Sequence, residues 1–171
     1  MLEDYHIEFV KLKLGKHVFN LKADSSFFQS LENQDVLNAD VNVQIEIEKH
    51  PTWMNVSFTT AGVIYINCDR CLVELPYPVN SQYQILYKNA VDETQEDEEA
   101  VRYLHPSDYK IDLSIPVYET ILLSLPMIKN CDNLDEPPCD DEMLDKLEQN
   151  ETTPEDEQYE DPRWEKLKKL K

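Results

Sequence analysis

Val41-Asn42-Val43-Gln44-Ile45-Glu46-Ile47-Glu48 alternates apolar and polar residues without a break, the pattern of a strand with one face in a core and the other in water. Met54, Val56 and Phe58 resume the same period after Pro51 and Thr52, so residues 41–59 predict an antiparallel hairpin that turns there. Val63 to Ile66 predicts a further short strand. Toward the N-terminus, Ile7 and Phe9 take one alternating face while Val10, Leu12 and Leu14 take the other. That predicts a strand carrying a bulge or buried on both sides. Gly15 punctuates the chain, Val18 to Leu21 reads as a return strand, and Asp24 or Ser25 can cap a short helix that turns Phe27, Phe28 and Leu31 to the core.

Toward the C-terminus, Val73 and Leu75 open another strand, and Tyr83, Ile85 and Tyr87 show period two again. Pro76 and Pro78 lack the N–H that a central strand needs, which places the segment at a sheet edge. Residues 90–100 have no apolar period and predict a surface loop. Ile111, Leu113 and Ile115 predict a strand, after which Val117, Ile121, Leu122 and Leu125 fall at helical spacing up to Pro126. The expected fold is mainly β (α+β). An antiparallel sheet or partly closed barrel with a few short helices fills residues 1–130, and an acidic tail with two short helices fills 131–171. The first tail helix runs from Asp141 to Glu148 with Met143, Leu144 and Leu147 on one face. The second has Asp161 as cap, Pro162 in its first turn and Trp164, Leu167 and Leu170 on one stripe. Its Trp164 anchors the tail to the core or meets a partner.

The net charge of −19 is unevenly spread. Residues 92–99 and 132–161 hold twenty acids and one base, Lys146, which leaves fifteen acids against fifteen bases elsewhere. A charge-balanced body with two acidic extensions is poorly suited to capturing RNA through phosphate, which needs clustered Lys and Arg to displace counterions. A basic partner fits better, and Glu96, Asp97, Glu98 and Glu99 are the acids to meet it in the loop. In the tail, Asp161, Pro162, Arg163 and Trp164 are the corresponding contact candidates. Such runs also keep a protein soluble without contacting anything. The first ten residues place Glu3, Asp4 and Glu8 where a secretory signal would carry bases and then an apolar stretch. The expected location is therefore cytoplasmic, with no membrane contact.

Four cysteines are the most pointed chemical feature. Cys68-Asp69-Arg70-Cys71 joins two predicted strands, where a turn would aim two thiolates at one zinc ion. Cys131 and Cys139 can complete a tetrahedral set, although their separation is wider than the two to four residues usual in structural zinc sites. His105 is a substitute ligand. A thioredoxin-like redox centre needs a helix after the first cysteine, and Leu72 to Pro78 is strand-like. Structural disulfides do not suit a reducing cytoplasm. Catalytic templates are missing. Gly15 and Gly62 are the only glycines, too few for a P-loop or a dinucleotide-binding turn. His6, His17, His50 and His105 are scattered, and no nucleophile elbow or His-Glu-x-x-His occurs. No enzymatic activity is expected.

The run Ile66-Asn67-Cys68-Asp69-Arg70-Cys71-Leu72, followed after the acidic loop by Tyr109-Lys110-Ile111-Asp112-Leu113 and the segment from Pro116 to Leu125, resembles the YceD-like family of large ribosomal RNA subunit accumulation proteins. Asp161-Pro162-Arg163-Trp164-Glu165-Lys166-Leu167 is similar to the Asp-Pro-Arg ending of many bacterial members. The resemblance implies a non-enzymatic role in ribosome biogenesis, and together with the charge distribution this gives a large-subunit precursor or a basic ribosomal protein as the expected partner, with RNA contact indirect. Family genes commonly neighbour that of a small basic ribosomal protein. Some members carry a second close cysteine pair near Cys131, a spacing from which this chain departs.

Overall fold

Alternation over long, β-rich stretches yields strands that outlast their usual five or six residues. In the computed structural model, which describes residues 2–90, 97–98, 100–134 and 138–149, a five-stranded sheet has the order β2-β3-β4-β5-β6. Its strands are β2 (Gly15–Asp24), β3 (Val36–Lys49), β4 (Trp53–Asn67), β5 (Glu74–Asn89) and β6 (Val101–Leu104). The first four run antiparallel to their neighbours, and β6 joins β5 in parallel. A minor pair joins β1 (His6–Ile7) to β7 (Ile111–Asp112). The helices are α1 (Ser25–Ser30), α2 (Ser114–Leu122) and α3 (Asp141–Gln149). The sheet is open, so of the two expected architectures the antiparallel sheet is the one formed.

One face carries the core. Val43, Ile45 and Ile47 of β3 lie opposite Thr60, Phe58 and Val56 of β4, and Ile64 and Ile66 lie opposite Tyr77 and Leu75 of β5. All ten are buried. Phe27 and Phe28 of α1 and Val117 and Ile121 of α2 join the same cluster. Asp24 accepts hydrogen bonds from the N–H groups of Ser26 and Phe27, the side-chain cap read from the sequence and worth about 1 kcal/mol.

The hairpin over residues 41–59 is present and longer than expected. Val63 to Ile66 is the continuation of β4 rather than a separate strand. Gly62 permits this: a Cβ there would lie 2.1 Å from the carbonyl oxygen of Asp40, so only glycine lets β3 and β4 stay this close. Pro76 and Pro78 sit where β5 is an outer strand, because β6 pairs only with Leu86 to Asn89. Two readings are corrected. Phe9–Lys11 is a 3-10 turn rather than a bulged strand, held by Lys49, whose Nζ donates to Phe9 O at 2.7 Å and Leu12 O at 2.9 Å. The strand at Ile111 ends after Asp112, whose carboxylate accepts from the N–H and hydroxyl of Ser114 and starts α2, so Ile115 is helical and 47% exposed. The tail helix at Asp141 is present, while the one at Asp161 lies outside the described residues. No helix among the described residues is long and apolar enough to cross a membrane.

Candidate metal centre

The turn from β4 into β5 is tight because its backbone bonds to itself and to its own sulfur. Cys68 N–H donates to Val73 O at 2.8 Å, and Leu72 N–H to Cys68 O at 3.1 Å. The N–H groups of Arg70 and Cys71 point at Cys68 Sγ at 3.4 and 3.5 Å, a pair of donors suited to a thiolate. Closing the turn puts Leu72 at φ 62°, the left-handed region that costs a side-chain-bearing residue about 1–2 kcal/mol.

The two residues between the cysteines bring the third one in. Asp69 N–H donates to Lys129 O at 2.6 Å, and its carboxylate accepts from Lys129 N–H at 2.7 Å. Arg70 pairs with Asp132 at 3.2 Å, and Tyr77 donates to Asn130 O at 3.2 Å. Residues 129–132 are thereby clamped over the turn, and Cys131 enters its interior. Its Sγ lies 3.4 Å from that of Cys71 and 3.6 Å from that of Cys68. All three cysteines are buried, with their sulfurs mutually within 4.8 Å. Cys139 is half-buried; its sulfur accepts from Arg70 Nη2 at 3.7 Å and contacts Cys131.

These separations far exceed the roughly 2.05 Å of a disulfide, so the sulfurs are reduced thiols. They match the edge of a tetrahedron: four sulfurs at about 2.3 Å from one ion are roughly 3.8 Å apart. The donor set also fits, since soft thiolates select zinc over magnesium or calcium. Electrostatics favour one thiolate already. Burial pushes the Cys68 thiol up, but the N–H groups of Cys71 and Arg70 and the adjacent thiols outweigh it and bring it below the usual thiol range. Cys131 is pushed up, first by burial and then by its contacts with Cys71, Cys68 and Cys139. Three buried cysteines this close could hold a metal ion.

His105 belongs elsewhere. It follows β6, which pairs with the Asn89 end of β5, about 50 Å along the strand from the cysteines at some 3.3 Å per residue. In the acidic loop, Asp97 accepts from Tyr103 N–H at 2.8 Å and lies 3.5 Å from Arg102 Nε; the Arg102 guanidinium also donates to Glu98 O at 2.7 Å. Asp97 is therefore held against β6. Glu96, Glu99, Asp161, Pro162, Arg163 and Trp164 lie outside the described residues. Sequence spacing missed the clamp made by Asp69 and Arg70, whose partners are about sixty residues away and leave no local pattern.

The family model described as Large ribosomal RNA subunit accumulation protein YceD matches residues 56–171, which takes in all four cysteines and the tail. No curated protein and no solved structure matches the chain.

Proposed function

The chain belongs to the YceD family of large ribosomal RNA subunit accumulation proteins, and from that premise we propose that it is a cytoplasmic, non-catalytic accessory factor in large-subunit assembly. The observation that carries the reading beyond the family is the division of charge: a balanced sheet domain with its surplus acids in 92–99 and 132–161. Acidic extensions of this kind suit a basic ribosomal protein as client. Complementary charge speeds encounter, and salt or competing RNA phosphate releases it again. Cys68, Cys71 and Cys131, with Cys139 as fourth donor, hold zinc in this reading. A bound ion supplies no reaction here; it ties the start of the acidic tail to the sheet.

A thiol oxidoreductase is the competing reading, and burial argues against it. Cys68 and Cys131 are each 0% exposed, whereas reactive cysteines need access to a disulfide substrate. The deciding experiment is sedimentation of ribosomal particles from cells lacking the protein. A deficit of large subunits, with the tagged protein on large-subunit precursors in complemented cells, is expected. Unchanged large-to-small subunit ratios would refute the role.

A further inference from the structure

Among the described residues, the sheet face opposite the core is covered by no helix, and it carries an ordered row at the end remote from the cysteines. Trp53 of β4 lies opposite Lys88 of β5, and Lys88 lies beside Tyr103 of β6. Register partners on adjacent strands point to the same face, so a cation sits between two aromatic side chains that span three strands, about 10 Å at the usual strand spacing. Trp53 is 37% exposed. Its indole is held from behind by His50, with ring centroids 3.7 Å apart and planes at 19°. A concavity of about 500 Å³ opens over Thr52, Trp53, Leu86, Lys88 and Asn89, within the range of roughly 300–1,000 Å³ typical of ligand sites.

We propose that this row is a stacking platform for unpaired bases of a single RNA strand. Every base has a π-face, so stacking on aromatics is tolerant of sequence, and Lys88 supplies a cation for the adjoining backbone. Lys88 between the rings favours a phosphodiester over an arginine-rich peptide, whose cations it repels. Of the described acids near the row, Glu46 pairs with Lys16 at 2.9 Å and Asp97 lies 3.5 Å from Arg102 Nε, while Glu98 is exposed at the rim. Lys13 and His17 lie at the same end, where Gly15 pairs with Lys49, while Lys11 and Lys16 there are ion-paired with Glu8 and Glu46. That the strand is RNA rests on the assembly-factor reading; the stacking chemistry does not.

The test uses the full chain carrying Trp164→Phe, which leaves Trp53 as the sole tryptophan, titrated with an unstructured RNA dodecamer. Quenching of Trp53 emission is expected, with duplex RNA of the same sequence giving none. In anisotropy with labelled dodecamer, Trp53→Ala should weaken binding about five- to a hundredfold, Tyr103→Ala and Lys88→Gln several-fold, and Trp53→Phe little. Lys88→Gln and Trp53→Phe keep the test open if Trp53→Ala fails to fold. Equal binding by Trp53→Ala and wild type would overturn the proposal, as would quenching by an arginine-rich peptide but not by RNA. A platform variant that loses the dodecamer yet still sediments with large-subunit precursors leaves the assembly role standing, so the two readings fail separately.

Discussion

The two ends of the β4–β5 pair solve opposite problems. At the Asn67–Glu74 end, three buried sulfurs are enclosed, and Asp69 and Arg70 spend their hydrogen bonds on drawing residues 129–132 over them. At the Trp53–Lys88 end no described residue is drawn over in this way: Trp53 and Lys88 are exposed, and Asp97 pairs with Arg102 at the rim. The contrast shows that sheet length separates a low-dielectric centre, which suits ion binding and tail attachment, from a wet face suited to reversible contact. Neither end imposes its chemistry on the other.

The largest expected effect is at the closed end. Cys131→Ser should abolish one equivalent of bound metal and lower stability by several kcal/mol, a fall of roughly 10 °C or more in thermal midpoint. Cys139→Ser should do less, because that side chain is half-buried. Metal analysis of protein purified without chelator, and unfolding with and without chelator, checks both; a wild-type midpoint indifferent to chelator with no metal present would make the cluster a plain thiol core. Next is the strand that joins the ends. Gly62→Ala should cost about 3 kcal/mol, since the new methyl meets the backbone of β3 at 2.1 Å. Denaturant midpoints at unchanged slope would measure it.

Leu72→Gly should stabilise by about 0.5–1 kcal/mol, the relief of a left-handed side-chain residue less the added chain entropy of glycine. A loss instead would mean that the Leu72 side chain, 60% exposed, supports the turn. The smallest stability effect belongs to the acidic run 92–99: Glu96→Gln, Glu98→Gln and Glu99→Gln together should change stability by less than about 0.5 kcal/mol. The same triple variant should weaken capture of a basic ribosomal protein in low salt and little at high salt. Asp97 is left intact because it bonds to Tyr103 and Arg102 of β6. Equal affinity at low salt would move the client elsewhere.

The elements that could be read in advance are those whose cause is local. Alternation over Val41 to Glu48, the cap at Asp24 and the prolines of β5 each act through neighbours in sequence or one strand away. The readings that failed did so for two different reasons. Phe9 to Lys11 turns because distant Lys49 donates to the carbonyls of Phe9 and Leu12, whereas the strand at Ile111 stops because of a local bond, from Ser114 to the Asp112 carboxylate, that competes with the alternation. In the candidate site, Cys68 and Cys71 were evident from spacing. Cys131 was named as a partner too, but its approach was not evident from spacing, since it depends on bonds from Asp69 and Arg70 across about sixty residues.

By itself the sequence determined a strand-rich body, the partition of charge and a two-cysteine turn, because hydrophobic period and composition act residue by residue. Tertiary structure alone decided that a third sulfur joins the pair and that Trp53, Lys88 and Tyr103 line up. Both depend on register and chain closure, where small shifts move a side chain to the opposite face, and no single segment encodes its alignment with another.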